Sequence, residues 1–172
     1  MATCAVVGRR LKRINLLESV TWAWGLSLIA LTIAIHATGM VMMAVTGLGV
    51  RHWLETRNLG IRHMILIVIG VVGATGLLLA VLHVVEATIW AAAYVWLGAL
   101  DSPKDAILYS LDSMTTRGAS GLMLEPHWQM MGALEAVNGM LLFGISTAYI
   151  FGVMQLYWSM LSDLLMTRRH PR

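Results

Sequence analysis

Residues 99–128 read ALDSPKDAILYSLDSMTTRGASGLMLEPHW, and the organisation of the whole chain turns on this stretch. Asp101, Pro103, Lys104 and Asp105 open a short amphipathic segment, Ala106 to Met114. Ser102 followed by Pro103 is a strong helix start: proline's fixed φ suits the first turn, where an N–H would have no helical partner. Thr115-Thr116-Arg117-Gly118-Ala119-Ser120-Gly121 then brings a run of small residues that predicts a break in the helix. Glu125-Pro126-His127-Trp128 follows as a polar return.

Outward from this stretch the chain becomes apolar on both sides. No Asp, Glu, Lys or Arg occurs from Met64 to Val85, from Ala136 to Ser162, or further upstream from Ser19 to Val50. About 20 apolar residues suffice for a spanning helix, and each run is long enough. The 172 residues are 58% hydrophobic and 12% charged, against about 25% charged in a soluble domain. Three such runs predict an integral membrane protein in a lipid bilayer.

The net charge of +3 gathers at the chain ends and in one loop, a pattern that suits lipid headgroups and is too short for nucleic acid. The lone Cys4 excludes an intrachain disulfide. The apolar run after Arg9, Arg10, Lys12 and Arg13 is longer than a signal-peptide core, so no cleavage is expected.

Four parts follow. Residues 1–21 are a basic lead, with Leu11, Ile14, Leu16 and Leu17 among the cations as in an interfacial amphipathic helix. Residues 22–63 hold a first span (22–47), opened by the interfacial pair Trp22 and Trp24, and a polar loop (51–63) containing Arg51, Glu55, Arg57, Asn58 and Arg62. His36, mid-span, reads as a neutral imidazole bonded to a backbone carbonyl. Residues 64–160 carry a long outer helix (64–98), the 99–128 stretch and a last span (129–160), and residues 161–172 form a basic tail. As one helix, residues 64–98 would reach about 52 Å at ~1.5 Å per residue, so they tilt or leave the hydrocarbon.

Ionisable groups inside spans are functional candidates by default. His83, Glu86, Trp90 and Tyr94 fall at spacings of three, four and four, on one helical face. Glu135 and Asn138 share the last span. Glu135 reads as an acceptor for His83 or Trp90, with pH sensing and metal ligation as the other readings. His83-x-x-Glu86 has metal-ligand spacing, but the second pair a dinuclear site needs is missing. The 13 methionines read as packing.

Residues 106–121, AILYSLDSMTTRGASG, resemble the pore helix and selectivity filter of the potassium-channel superfamily. That family pairs an aromatic pore helix with Thr-Thr-Val-Gly-Tyr-Gly-Asp. Tyr109 stands at an aromatic pore-helix position, Asp112 stands where members carry an acidic or small residue behind the filter, and Thr115, Thr116 and Gly118 match the filter. Trp128 opens the inner helix, and Gly139-Met140-Leu141-Leu142-Phe143-Gly144 is similar to the family's hinge segment. Gly139 and Gly144 read equally as that hinge and as small residues for close helix packing. The upstream face resembles small proteobacterial channels with an extra N-terminal span, so the likeness covers about residues 83–157.

The departures are specific. Arg117, Ala119, Ser120 and Gly121 stand where the family has Val, Tyr, Gly and Asp. Ser120 then occupies a position that needs positive φ, which only glycine adopts cheaply. In the family the side chain at Arg117 faces the pore helix, where a guanidinium needs an acid; Asp112 is the first partner expected and Glu125 the second. If Arg117 faces the axis instead, four cations repel cations and favour anions.

The resemblance implies an all-α membrane protein: three transmembrane helices plus a re-entrant pore helix and a filter-like loop, Thr115 to Gly121, in a homotetrameric pore of the bacterial inner membrane. It implies passage of monovalent ions with weak or no potassium selectivity, no organic cofactor, no resident metal and no enzymatic activity. The alternative is a non-conducting structural or regulatory subunit. A rival from another class is an intramembrane serine protease, because Gly118-Ala119-Ser120-Gly121 fits the rhomboid Gly-x-Ser-Gly motif, with His83 or His36 as base. Three spans where rhomboids need about six argue against it. Orientation is pulled two ways: a loop entering from outside puts Arg51, Arg57, Arg62, Arg168, Arg169 and Arg172 in the cytoplasm, as the positive-inside rule asks, and the N-terminal cations outside, against it.

Overall fold

Among the described residues four helices account for most of the chain: α1 (Ala2–Glu55), α2 (Ile61–Trp96), α3 (Pro103–Met114) and α4 (Gln129–Arg169). The computed structural model describes residues 2–57, 60–118 and 120–169, and the side chains of residues 2–18, 163–165 and 167–169 are not described. Ser19–Glu55, Ile61–Trp96 and Gln129–Ser162 are each long and apolar enough to cross a membrane. The chain is an all-helical integral membrane protein.

Helix boundaries differ from the sequence reading, and α4 runs past residue 160 to Arg169. The backbone of the basic lead is helical and continuous with the first span, since α1 begins at Ala2; the Leu, Arg and Lys of that lead are good helix formers. The side chains of Arg9, Arg10, Lys12 and Arg13 lie outside the described residues. The polar loop expected over 51–63 shrinks, since α1 continues to Glu55 and α2 begins at Ile61. Arg51 Nε donates to Glu55 Oε1 at 2.8 Å across one turn, an i,i+4 pair that supports a helix end. Asn58 and Leu59 lie outside the described residues, as do His170 and Arg172 of the basic tail.

The chain forms two compact units, Met1–Ala34 with Val84–Leu142, and Ile35–His83 with Phe143–Arg172. In the first, Trp90, Tyr94, Ala99, Ala106, Leu124 and Met131 make one buried cluster. α3 lies on a ridge of small residues on α4. A Cβ at Gly132 would strike the Tyr109 hydroxyl, and one at Gly139 would strike the Met114 carbonyl oxygen and come within 2.7 Å of the Met114 Cα. Ser113 Oγ donates to the Gly132 carbonyl at 3.0 Å, which such a close approach permits.

In the second unit, Leu54, Met64 and Tyr157 form the buried cluster. Tyr157 Oη donates to the Gly47 carbonyl at 3.1 Å. Leu82 fills the space over Gly39, its Cδ2 2.9 Å from where a Cβ would stand.

Candidate functional site

α3 begins as the sequence predicts. Ser102 is its N-cap, with Oγ accepting from the Asp105 N–H at 3.3 Å, and Pro103 opens the first turn. Its other end is a Schellman turn. The Thr116 N–H donates to the Ser113 carbonyl at 2.9 Å and the Arg117 N–H to the Asp112 carbonyl at 3.0 Å, the paired bonds that satisfy last-turn carbonyls. Such a turn needs a left-handed residue, and here it is Thr116, at φ 54. Among the described residues Thr116 is the one non-glycine with positive φ.

This corrects the expected place of strain. The sequence reading puts it at Ser120, but the left-handed residues of the loop are Thr116, Gly118 (φ 63) and Gly121 (φ 68). The Schellman cap of α3 takes one of these left-handed positions at Thr116. Ala119 lies outside the described residues.

Asp112 holds the loop from behind. Its Oδ2 accepts the Ser120 N–H at 2.8 Å, and its Oδ1 lies 3.7 Å from Arg117 Nε. The side chain of Asp112 is 7% exposed and that of Arg117 is 73% exposed. The expected pair therefore exists, but as a long contact with a solvated guanidinium; the short bond of the carboxylate goes to the Ser120 backbone. Glu125 is not behind the loop. Its carboxylate is exposed, 3.4 Å from His127 Nδ1. A cleft of about 480 Å³ opens beside the loop, lined by Tyr109, Asp112, Ser113, Thr116, Ser120 and Met123.

α4 carries a fully buried carboxyl, Glu135. Its Oε2 accepts from Tyr94 Oη at 2.7 Å. Its Oε1 is in hydrogen-bonding contact with Ser110 Oγ, which also lies 2.8 Å from the Ala87 carbonyl oxygen. One side chain of α4 thus ties together α2 and α3. The sequence predicts His83 or Trp90 as the donor to this carboxyl. Tyr94 and Ser110 are the partners found, and Ser110 carried no signal beyond being a small polar residue on the buried face of an amphipathic helix. Trp90 is fully buried, and its indole N–H makes no hydrogen bond among the described residues. Tyr94 packs edge-on against Tyr109, ring centres 5.4 Å apart.

The remaining polar residues of the spans are placed as follows. Glu86 is fully buried on α2 within the first unit. Asn138, also buried, donates from Nδ2 to Thr32 Oγ1 at 2.9 Å. His83 belongs to the second unit, where Ser146 Oγ stands 3.1 Å from its Nε2 and 3.0 Å from His36 Nε2. The His83 ring stacks on Phe143 at 4.3 Å. Both histidines named as possible bases for Ser120 thus direct Nε2 at Ser146. Gly139 has its packing reason in the Met114 backbone, whereas a Cβ at Gly144 would meet nothing within 4 Å.

No match to this chain is found among protein-family models, curated proteins or solved structures.

Proposed function

We propose that this chain is one subunit of a pore-forming membrane protein of potassium-channel type, in which four copies gather their 115–121 loops around a common axis in a bacterial inner membrane. The observation that carries the reading is the order of elements: a span, a short capped helix, a non-helical loop and a second span, with α3 ending at Met114, immediately before Thr115-Thr116-Arg117-Gly118. Irregular backbone between two spans is tolerated at membrane depth only when it is buried in protein or faces water, and pores use such loops to present carbonyls to ions. Monovalent ions are the expected cargo. With Arg117 exposed and no potassium-type sequence after Gly118, selectivity for potassium is expected to be weak.

A second reading, a non-conducting structural or regulatory subunit, is favoured by one contact. Asp112 holds the Ser120 N–H within the same chain, so the loop is closed on its own helix.

Ion flux into proteoliposomes, comparing potassium, sodium and chloride, tests both. The control carries Arg117→Val, Ala119→Tyr and Ser120→Gly; Gly121 is kept because its φ of 68 disfavours a side chain. Native flux with little potassium preference supports the altered pore. Native silence with potassium flux in the control supports the non-conducting subunit. Silence in both, together with a subunit mass other than that of a tetramer in native mass spectrometry, overturns the pore reading.

A further inference from the structure

Three oxygen-to-oxygen contacts run in series through the core of the first unit: Tyr94 Oη to Glu135 Oε2, Glu135 Oε1 to Ser110 Oγ, and Ser110 Oγ to the Ala87 carbonyl. Each contact at hydrogen-bonding distance needs one hydrogen between its oxygens. The phenol of Tyr94 brings one and the hydroxyl of Ser110 brings one; a backbone carbonyl brings none. Two hydrogens cannot fill three contacts. If Ser110 gives its hydrogen to Glu135, its lone pairs face the Ala87 carbonyl; if it gives it to Ala87, they face a carboxylate oxygen.

We propose that Glu135 is a proton-binding site and that its side chain is a neutral carboxylic acid in the folded protein. Oε1–H then donates to Ser110 Oγ, Ser110 donates to the Ala87 carbonyl, and Tyr94 donates to Oε2. Every contact has its hydrogen, and the chain of donors runs in one direction from α2 through α4 and α3 back to α2. A neutral acid also explains how α4 carries this residue at 0% exposure: an ionised carboxylate there would demand a cation, and the side chains that reach it are the hydroxyls of Tyr94, Ser110 and Ser113. Of the other titratable groups on the elements packed around it, Tyr94 on α2 and Tyr109 on α3 lie against it; α2 also carries Arg62, His63, His83 and Glu86, and α3 carries Lys104, Asp105 and Asp112. The proposal holds whether or not the chain conducts ions.

Infrared difference spectroscopy on the full-length protein in lipid at neutral pH tests it. In Glu135→Gln the amide nitrogen can donate to Ser110 and the amide oxygen can accept from Tyr94, so the three-hydrogen pattern survives. Native minus Glu135→Gln should show the loss of one carboxylic C=O band, the unchanged carboxyls of Glu86 and Asp112 cancelling. Loss of a carboxylate stretch instead overturns the proposal. Should Glu135→Gln not fold, Tyr94→Phe decides: it removes the donor to Oε2 while keeping the ring, so the carboxylic C=O band should move to higher frequency. A Tyr94→Phe difference spectrum with a changed carboxylate stretch and no carboxylic C=O feature overturns it.

Discussion

α2 and α3 end in the same turn built from different residues. At the end of α2 the Gly98 N–H donates to the Val95 carbonyl at 3.1 Å and the Ala99 N–H to the Tyr94 carbonyl at 2.8 Å. At the end of α3 Thr116 and Arg117 make the equivalent bonds to Ser113 and Asp112. The left-handed residue is Gly98 at φ 69 in one case and Thr116 at φ 54 in the other. The pair that accompanies such a turn, the third-last helical residue and the second beyond the cap, is usually apolar. It is Tyr94 with Ala99 on α2, both in one buried cluster, and Asp112 with Arg117 on α3. The α2 cap is the relaxed form. The α3 cap puts a β-branched residue where glycine belongs, at a cost of about 1–2 kcal/mol, and fastens the turn with charge. Strain of this kind persists only where the surroundings over-determine it, and it collects at working parts of proteins.

The surroundings that hold the α3 cap give the largest expected effect. Gly139→Val would drive side-chain atoms into the Met114 backbone. Backbone cannot yield as a flexible side chain can, so the loss is expected near the top of the overpacking range, about 3 kcal/mol, read as a lowered midpoint of SDS-driven unfolding in mixed micelles. Gly144→Val, in open space on the same helix, should cost less than about 0.5 kcal/mol. Equal effects at both glycines would remove the idea that α4 pins the end of α3.

Exchanging the two left-handed residues tests the comparison itself. Gly98→Thr meets no neighbour within 4 Å, so any loss comes from φ alone and should be about 1–2 kcal/mol. Thr116→Gly should gain about 1 kcal/mol, the φ cost relieved less the entropy that glycine adds to the unfolded chain. A destabilised Thr116→Gly would mean that the threonine side chain makes contacts that outweigh the strain of its φ. Both variants are read in the same unfolding titration.

These two ends also mark how much was legible in the sequence. Three charge-free runs disclose the spans, and Ser102-Pro103 discloses the start of α3, because both signals are local: composition over about 20 residues, and one residue's fixed φ. The Asp112–Arg117 pair was legible for a different reason than the one that produces it. Five residues apart, the two are the charged counterpart of the apolar pair in a Schellman turn, but a threonine at the left-handed position conceals that turn from any pattern that looks for glycine. The donors to Glu135 were hidden because a hydroxyl on α3 and a phenol on α2 meet one carboxyl only through tertiary packing. In a bilayer, where burial of apolar surface between helices gains little over lipid, such contacts and close backbone approaches carry much of the specificity, and they leave the faintest trace in composition.

The smallest effect expected is at Arg117, and it separates two roles that the sequence reading joined. With its side chain 73% exposed and Nε 3.7 Å from Asp112 Oδ1, the guanidinium contributes at most a few tenths of a kcal/mol, as solvated ion pairs do. Arg117→Ala should leave the unfolding midpoint within about 0.5 kcal/mol of native. Asp112→Ala should lower it further, by about 1–3 kcal/mol, because the Ser120 N–H loses a charged acceptor at 2.8 Å. If Arg117→Ala matched Asp112→Ala, the guanidinium would be the clamp, as the sequence first suggested. If Asp112→Ala alone falls, the loop is held by a carboxylate on a backbone N–H, and the charge of Arg117 has no part in that hold.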